Sequence, residues 1–451
     1  MPYPTAAPAA HRPSTSLQQE LGHRLDSLAR VHRVPGAQLS VHTGTHVVSV
    51  RTGTADALAN TPFTAETAVP LGSVTKTATA AAVLLLVDDG DLDLDEPVSD
   101  LLPDLPRDIS DVTVRHLLSH TAGLPTGPDS DSAVGTTASR YLSAVCTPRN
   151  ILFPPGTGFS YSNAGYVAAG RILSEVTGMT WQEAVTALVL EPLGIVPAFL
   201  GDTAPDRPVA GGHALNTATG LVRPARQNLA PVEAPAGALL ASADDLAALG
   251  RAVIGRSDGL PAAVADLMRR PEPSADAGTL ADSWGLGLAL FRQDGRTWCG
   301  HDGNAQGTSC HLRADPDSGV VVAFTGNAGA ATGLWRDMAA ELARLTGIRV
   351  PTGPAAGTHH GPAVALPECA GTYRNGGTEY VVKLDGEGTP TLSVDGDCPI
   401  PLVCYPDLSC DLVDPATGRV EPGGRFHRDP VTGAIDRLQV SGRTARRTGT
   451  D

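Results

Sequence analysis

Residues Pro70–Leu86 read PLGSVTKTATAAAVLLL, and the reading of this stretch decides that of its surroundings. From about Ser73 to Val87 the run is apolar on nearly all sides, which predicts a helix buried at the centre of a domain. Ser73 and Lys76 stand at its start, three residues apart, so hydroxyl and ammonium share one helix face. Lys76 is one of only two lysines, the other being Lys383; every remaining cationic side chain is arginine. A serine hydroxyl needs a base to become a nucleophile. Lysine serves if burial and a helix N-terminus lower its pKa, whereas arginine does not deprotonate in proteins. The N–H of Ser73 is also a free donor for an oxyanion. Taken alone, the pair is better read as a capping serine and a surface lysine; the buried helix and the scarcity of lysine bring the two readings level.

Two further constellations follow. Tyr161-Ser162-Asn163, in PPGTGFSYSNAGY, puts a phenol that can exchange protons and an amide that can orient a lysine or a carbonyl ahead of a helix. The plain alternative is a loop-anchoring tyrosine with Asn163 as N-cap. His301-Asp302-Gly303, in CGHDGNAQG, offers a cationic or donor side chain followed by a glycine that lets a substrate approach the backbone. Its alternative is a hairpin turn, since Asp-Gly is a strong turn dipeptide.

Around these motifs the chain divides. Leu17, Leu21, Leu25, Leu28 and Val31 recur at helical spacing after Ser14–Ser16, and Pro35-Gly36 ends that helix. A hairpin is predicted around Thr43-Gly44, then a mainly helical middle, then short strands from about Trp284, then a helix ending at Gly347. The hairpin and the late strands can share one antiparallel sheet flanked by the first and last helices. Residues 350–365 read as a Pro/Gly-rich linker between a first domain, 1–349, and a small all-β domain, 366–451, a barrel or half-barrel.

With 451 residues, two domains is the natural expectation. A net charge of −15, with no basic block to offset it, argues against nucleic-acid or anionic-membrane partners. No stretch approaches the roughly 18 apolar residues of a membrane span, and the N-terminus lacks a signal-peptide pattern. Seven cysteines without a Cys-x-x-Cys pair suit reduced thiols, so a cytoplasmic location is expected. His116 and His120 lack a third ligand and read as packing residues, as do Trp181 and Trp335. DDGDLDLDEP reads as a solvated turn rather than a calcium loop. His359-His360 read as inert, and Arg446-Arg447 as a short tail charge pair.

In this order and at these separations, the three motifs resemble those of the serine β-lactamase and penicillin-binding-protein superfamily, in its class C/DD-peptidase/esterase branch. VRHLLSHTAGLP, PPGTGFSYSNAGY and PAGALLASADDLAAL resemble family segments between them, and the resemblance runs from about Leu17 to Gly347. It implies a mixed α/β (α+β) catalytic domain, an antiparallel sheet flanked by helices plus a mainly helical region; the tail resembles the lipocalin-like β domain of some members. It further implies Ser73 as the acylated nucleophile, Lys76 as its base, Tyr161 as proton shuttle, Asn163 as positioner of the acyl amide or Lys76, and His301 in the third motif. The N–H groups of Ser73 and Asn304 would form the oxyanion hole, with no metal or organic cofactor.

One departure concerns substrate. Where exported DD-peptidases tend to carry a hydroxyl residue, this chain has Asp302, which repels a carboxylate and suits an amine. With Gly303 it forms the expected substrate-binding pair. The His-Asp-Gly form, the length and the β tail resemble stand-alone penicillin-binding-protein-type thioesterases of nonribosomal peptide pathways. These imply macrolactamisation of a peptidyl thioester, on a carrier protein or free, ending in a D-residue. The alternative is a cytoplasmic serine esterase or D-amino-acid-specific peptidase or amidase.

Overall fold

The structure, a computed structural model, describes residues 14–44, 46–105, 109, 111–216, 219–355, 361–415 and 418–449. His359-His360 lie outside the described residues.

An eight-stranded antiparallel sheet organises the larger part. Its strands are β1 (Gly36–Thr43), β2 (His46–Asp56), β3 (Thr61–Pro62), β4 (Ser283–Trp284), β5 (Ala289–Gln293), β6 (Arg296–Ala305), β7 (Thr308–Asp315) and β8 (Val320–Gly326), in spatial order β3-β2-β1-β8-β7-β6-β5-β4. The N-terminal hairpin thus joins the late strands through the β1–β8 pairing, in which Leu39 lies opposite Phe324. Strand alternation divides β8 between two cores. Val322 and Phe324 pack on one face with α1 (Ser14–His32) and the last helix, whereas Val321 and Ala323 face the helical region. Within α1, Leu21 and Leu25 are fully buried, but Val31 is 70% exposed. At 3.6 residues per turn Val31 has rotated about 80° from the Leu21 stripe, so the expected five-residue face is really four.

Helix α2 (Thr75–Asp89) is the buried central helix. Its hydroxyls are all spoken for: Thr75 accepts from the Leu239 N–H, Thr77 donates to the Gly287 carbonyl, and Thr79 donates to Pro235 while accepting from the Trp181 indole. Buried polar groups tolerate such a position only when bonded. The helix ends at Gly90 in the left-handed conformation. Further helices are α3 (Val114–Leu118), α4 (Asn163–Thr177), α5 (Ala243–Val253) and α6 (Ala331–Thr346). Trp181 and Trp335 are buried packing residues, as read from the sequence.

The tail is a closed eight-stranded barrel: β9 (Gly371–Asn375), β10 (Thr378–Leu384), β11 (Pro390–Val394), β12 (Ile400–Cys404), β13 (Ser409–Val413), β14 (Val420–Arg428), β15 (Ile435–Val440) and β16 (Arg443–Gly449). Its core holds Tyr373, Tyr380, Phe426 and Leu438. Arg446 and Arg447, read from the sequence as a tail charge pair, belong to β16, which closes the barrel against β9. The barrel sits against the Tyr161 loop. Asn375 accepts from the Thr126 N–H at 2.8 Å, Thr444 donates to the Phe159 carbonyl at 2.7 Å, and the Tyr161 N–H donates to the Gly442 carbonyl at 2.9 Å.

Among the described residues, no helix is long and apolar enough to cross a membrane, and no group of three or more His, Cys, Asp or Glu could hold a metal ion. All seven cysteines are free, and only Cys398 is exposed.

Candidate active site

Ser73 lies in a 3-10 turn, Gly72–Val74, immediately before α2, so the serine precedes the α-helix rather than opening it. Gly72 has φ +53°, and a Cβ there would fall 2.2 Å from the Asn304 carbonyl oxygen. Only glycine lets this turn lie against β6. The Thr308 hydroxyl on β7 holds the approach to the turn by donating to the Pro70 carbonyl.

Lys76 is fully buried, which removes the surface-lysine alternative. Its Nζ donates to Ser73 Oγ at 3.3 Å and to the Ala236 carbonyl at 2.8 Å, and lies 4.9 Å from the Tyr161 ring centroid. Burial drives its pKa well below the usual lysine value; the nearby Arg443 adds to this, and buried Glu233 opposes it. The carbonyl partner was not expected. It arrives because Val69–Pro70 pairs with Leu240–Ala241, drawing the PAGALLA segment over α2.

Tyr161 is buried, and its hydroxyl lies toward Ser73; among the described residues it has no partner within hydrogen-bond distance. Burial raises its pKa, while Ser73 and Arg443 pull it down. His120 backs the ring at 4.3 Å between centroids and accepts the Ser162 N–H at Nδ1. Ser162, not Asn163, caps α4, accepting from the Gly165 N–H. Asn163 is the first helical residue, half-buried, and its side chain makes no hydrogen bond among the described residues. It does not hold Lys76; its amide remains available to a substrate.

His301-Asp302-Gly303 lies within β6, and the turn falls later, at Gln306-Gly307. β5 pairs with β6 only as far as Gly300, so from His301 onward that edge of β6 has no strand beside it among the described residues. The Ala305 N–H points to Thr308 on β7; strand alternation therefore turns the Asn304 N–H to the free edge, beside the Ser73 turn. Gly303 packs on this turn, since a Cβ there would lie 1.9 Å from the Leu71 carbonyl oxygen.

His301 is buried with Nδ1 2.6 Å from the Asp302 carbonyl oxygen. A carbonyl only accepts, so Nδ1 carries the hydrogen and Nε2 of the neutral ring is a bare acceptor, buried and without a partner among the described residues. Burial, reinforced by Lys76, lowers the His301 pKa to about 4. The expected cationic or donor side chain is a neutral acceptor instead.

Asp302 also differs from its expectation as a waiting anchor for ammonium. Its carboxylate accepts from Arg313 in bidentate fashion, at 2.7 and 3.0 Å, and lies 2.7 Å from His311 Nδ1. His311 stacks on Trp335 of α6, so this network occupies the far face of the sheet. Burial alone would raise the Asp302 pKa, but Arg313 and His311 hold it far below the usual carboxylate range. Its charge is already matched.

The barrel contributes Arg443, whose guanidinium lies 5.4 Å from the Tyr161 ring centroid. It stands outside all three motifs, and only the closure of the barrel brings it here.

The beta-lactamase family profile matches residues 21–345, nearly the whole of the larger part. The chain belongs to the beta-lactamase family. This member is 32% identical to penicillin-binding protein 4 of Amycolatopsis lactamdurans, covering 78% of this chain and 97% of the relative. It is 31% identical to the esterase EstB of Burkholderia gladioli over 61% and 79% of the two chains. Among solved structures, SurE superposes with TM-score 0.85 at 36% identity, covering 97% of this chain and all of SurE, and has also been solved with D-Leu. A D-amino acid amidase of Ochrobactrum anthropi SV3, complexed with D-phenylalanine, superposes at TM-score 0.56 and 26% identity over 69% and 92% of the chains. The family's serine-hydrolase chemistry suits a site with Ser73, a depressed lysine and a buried phenol.

Proposed function

We propose that this beta-lactamase family member is a penicillin-binding-protein-type thioesterase. It takes a peptidyl thioester onto Ser73 and releases it by head-to-tail macrolactamisation in the cytoplasm. The likeness to SurE, a surugamide cyclase, carries this reading because it spans both catalytic part and barrel. The site chemistry fits. Neutral Lys76 accepts the Ser73 proton as Oγ attacks the thioester carbon; the C–S bond breaks, and Tyr161 relays the proton to the leaving thiolate. The Ser73 and Asn304 N–H groups face the developing oxyanion, and the substrate backbone lies along the free edge of β6. Asn163 positions the acyl amide. The bare His301 Nε2 accepts from an N–H of the incoming amine, since the Asp302 carboxylate is already taken by Arg313 and His311. The amine nitrogen then bonds to the acyl carbon, the ester C–O bond breaks, and Ser73 regains its proton.

A linear peptidyl thioester ending in a D-residue tests the reading by mass spectrometry of its products. Cyclic product that disappears with Ser73→Ala is expected. Linear acid as the sole product, with fast turnover of short p-nitrophenyl esters, would replace it with the esterase or D-amino-acid amidase reading, to which the EstB and amidase likenesses belong.

A further inference from the structure

A cavity of about 560 Å³ opens where the barrel meets the loop at 149–152, and four arginines line it: Arg149, Arg374, Arg446 and Arg447. In a chain of net charge −15 this is a local inversion of sign. Among the described residues, Arg374 alone of the four is paired with a carboxylate, that of Glu379. Arg446 donates to the Ile151 carbonyl at 3.0 Å. Arg447 donates to the carbonyls of Glu368, Ile435 and Ala370, and its Nε is buried without a partner. Arg149 is exposed and makes no ion pair among the described residues. Arg447 pairs across the sheet with the core residue Tyr373 and turns its guanidinium inward over that ring, so the guanidinium groups of Arg149 and Arg446 face the concavity, and among the described residues no carboxylate is paired with either. Such a site demands an acceptor-rich anion, and guanidinium matches phosphate oxygens better than any other side chain does.

Its position narrows the ligand. Arg443 and Arg446 are three residues apart on β16, about 10 Å between their backbone positions at a strand rise of about 3.3 Å per residue, which sets the cavity near the end of the barrel that meets the Tyr161 loop. An extended pantetheine arm reaches from its thioester sulfur across that distance to its phosphate. We propose that the arginine cavity binds the phosphate ester of a phosphopantetheine thioester, holding the substrate by its tether while the acyl carbon meets Ser73. The proposal rests on the thioesterase reading above. A carrier protein's phosphodiester and coenzyme A both supply such a phosphate and present the same chemistry here.

The test compares one peptide as its N-acetylcysteamine, coenzyme A and carrier-bound thioesters, each with wild-type chain and with the double variant Arg149→Ala/Arg446→Ala. Losing two charge-assisted contacts is expected to raise KM about tenfold or more for the phosphorylated substrates, with N-acetylcysteamine thioester kinetics within about twofold of wild type. An effect on coenzyme A but not carrier thioesters supports the cavity and assigns its source as the free cofactor. Equal loss on all three, no loss on either phosphorylated substrate, or loss with the carrier alone overturns the proposal. Calorimetric binding of free phosphopantetheine, weakened in the double variant, is expected whether the product is ring or linear acid. A chain that yields only acid yet binds phosphopantetheine fails the cyclase reading and keeps the cavity; a chain that closes rings without binding it does the reverse.

Discussion

At the scale of single residues, Lys76 and His301 are both buried bases whose proton occupancy is set by their surroundings. Lys76→Arg keeps a cation but cannot give up a proton, so acylation measured as the burst with a p-nitrophenyl ester should fall at least about a hundredfold. Retention of most of the burst would remove Lys76 as base. Arg443 lowers the Lys76 pKa, so Arg443→Met should raise it. The rising limb of log kcat/KM against pH then moves to higher pH; an unmoved limb would separate Arg443 from the lysine's titration. Asp302 supports the sheet through fully buried Arg313. Asp302→Asn should therefore destabilise by about 3 kcal/mol, read as a lower Tm, because it leaves a buried guanidinium without its counter-charge. Lys76 was legible in the sequence because lysine is so rare here. The His301 tautomer was not, since it depends on a 2.6 Å contact with a backbone carbonyl.

At the scale of elements, the decisive junction is the turn carrying Ser73 against β6. Gly72→Ala would place a methyl group against the Asn304 carbonyl at a left-handed φ. It should separate Ser73 from the oxyanion edge and slow acylation by about a hundredfold or more, a cost typical of losing an oxyanion donor. Wild-type acylation in that variant would show that the turn relaxes freely. Helices and the N-terminal hairpin were readable from periodicity and glycine stops. The Val69–Pro70 pairing with Leu240–Ala241 was not, because two-residue strands carry no alternation to read, and with it went the Ala236 carbonyl on Lys76. β16 was missed for a related reason: RTARRTG has a single apolar side chain, Ala445, facing the barrel core.

At the scale of the whole molecule, burial of imidazoles sets the acid limit. His42, His116, His120, His301, His311 and His427 all have lowered pKa values, with desolvation the leading cause in each. A base whose folded pKa lies below its unfolded value binds fewer protons when folded, so its contribution is complete above the unfolded pKa and disappears as pH falls toward the folded one. For His301 the window runs from 6.5 down to about 4, worth about 3 kcal/mol. Denaturant midpoints should fall steadily across that window, and His301→Phe should flatten the slope. A wild-type midpoint independent of pH there would contradict the neutral assignment.

The contact between the Gly442 carbonyl and the Tyr161 N–H has a further consequence, in time rather than space. Ser73 and Lys76 emerge early in synthesis, whereas Gly442 and Arg443 follow hundreds of residues later. Domains fold as the chain is made, so the larger part can collapse around its serine long before the barrel seats the phenol loop and brings its arginine. The nucleophile is therefore made early and armed late. A nascent chain still on the ribosome therefore carries its serine and lysine in an incomplete site.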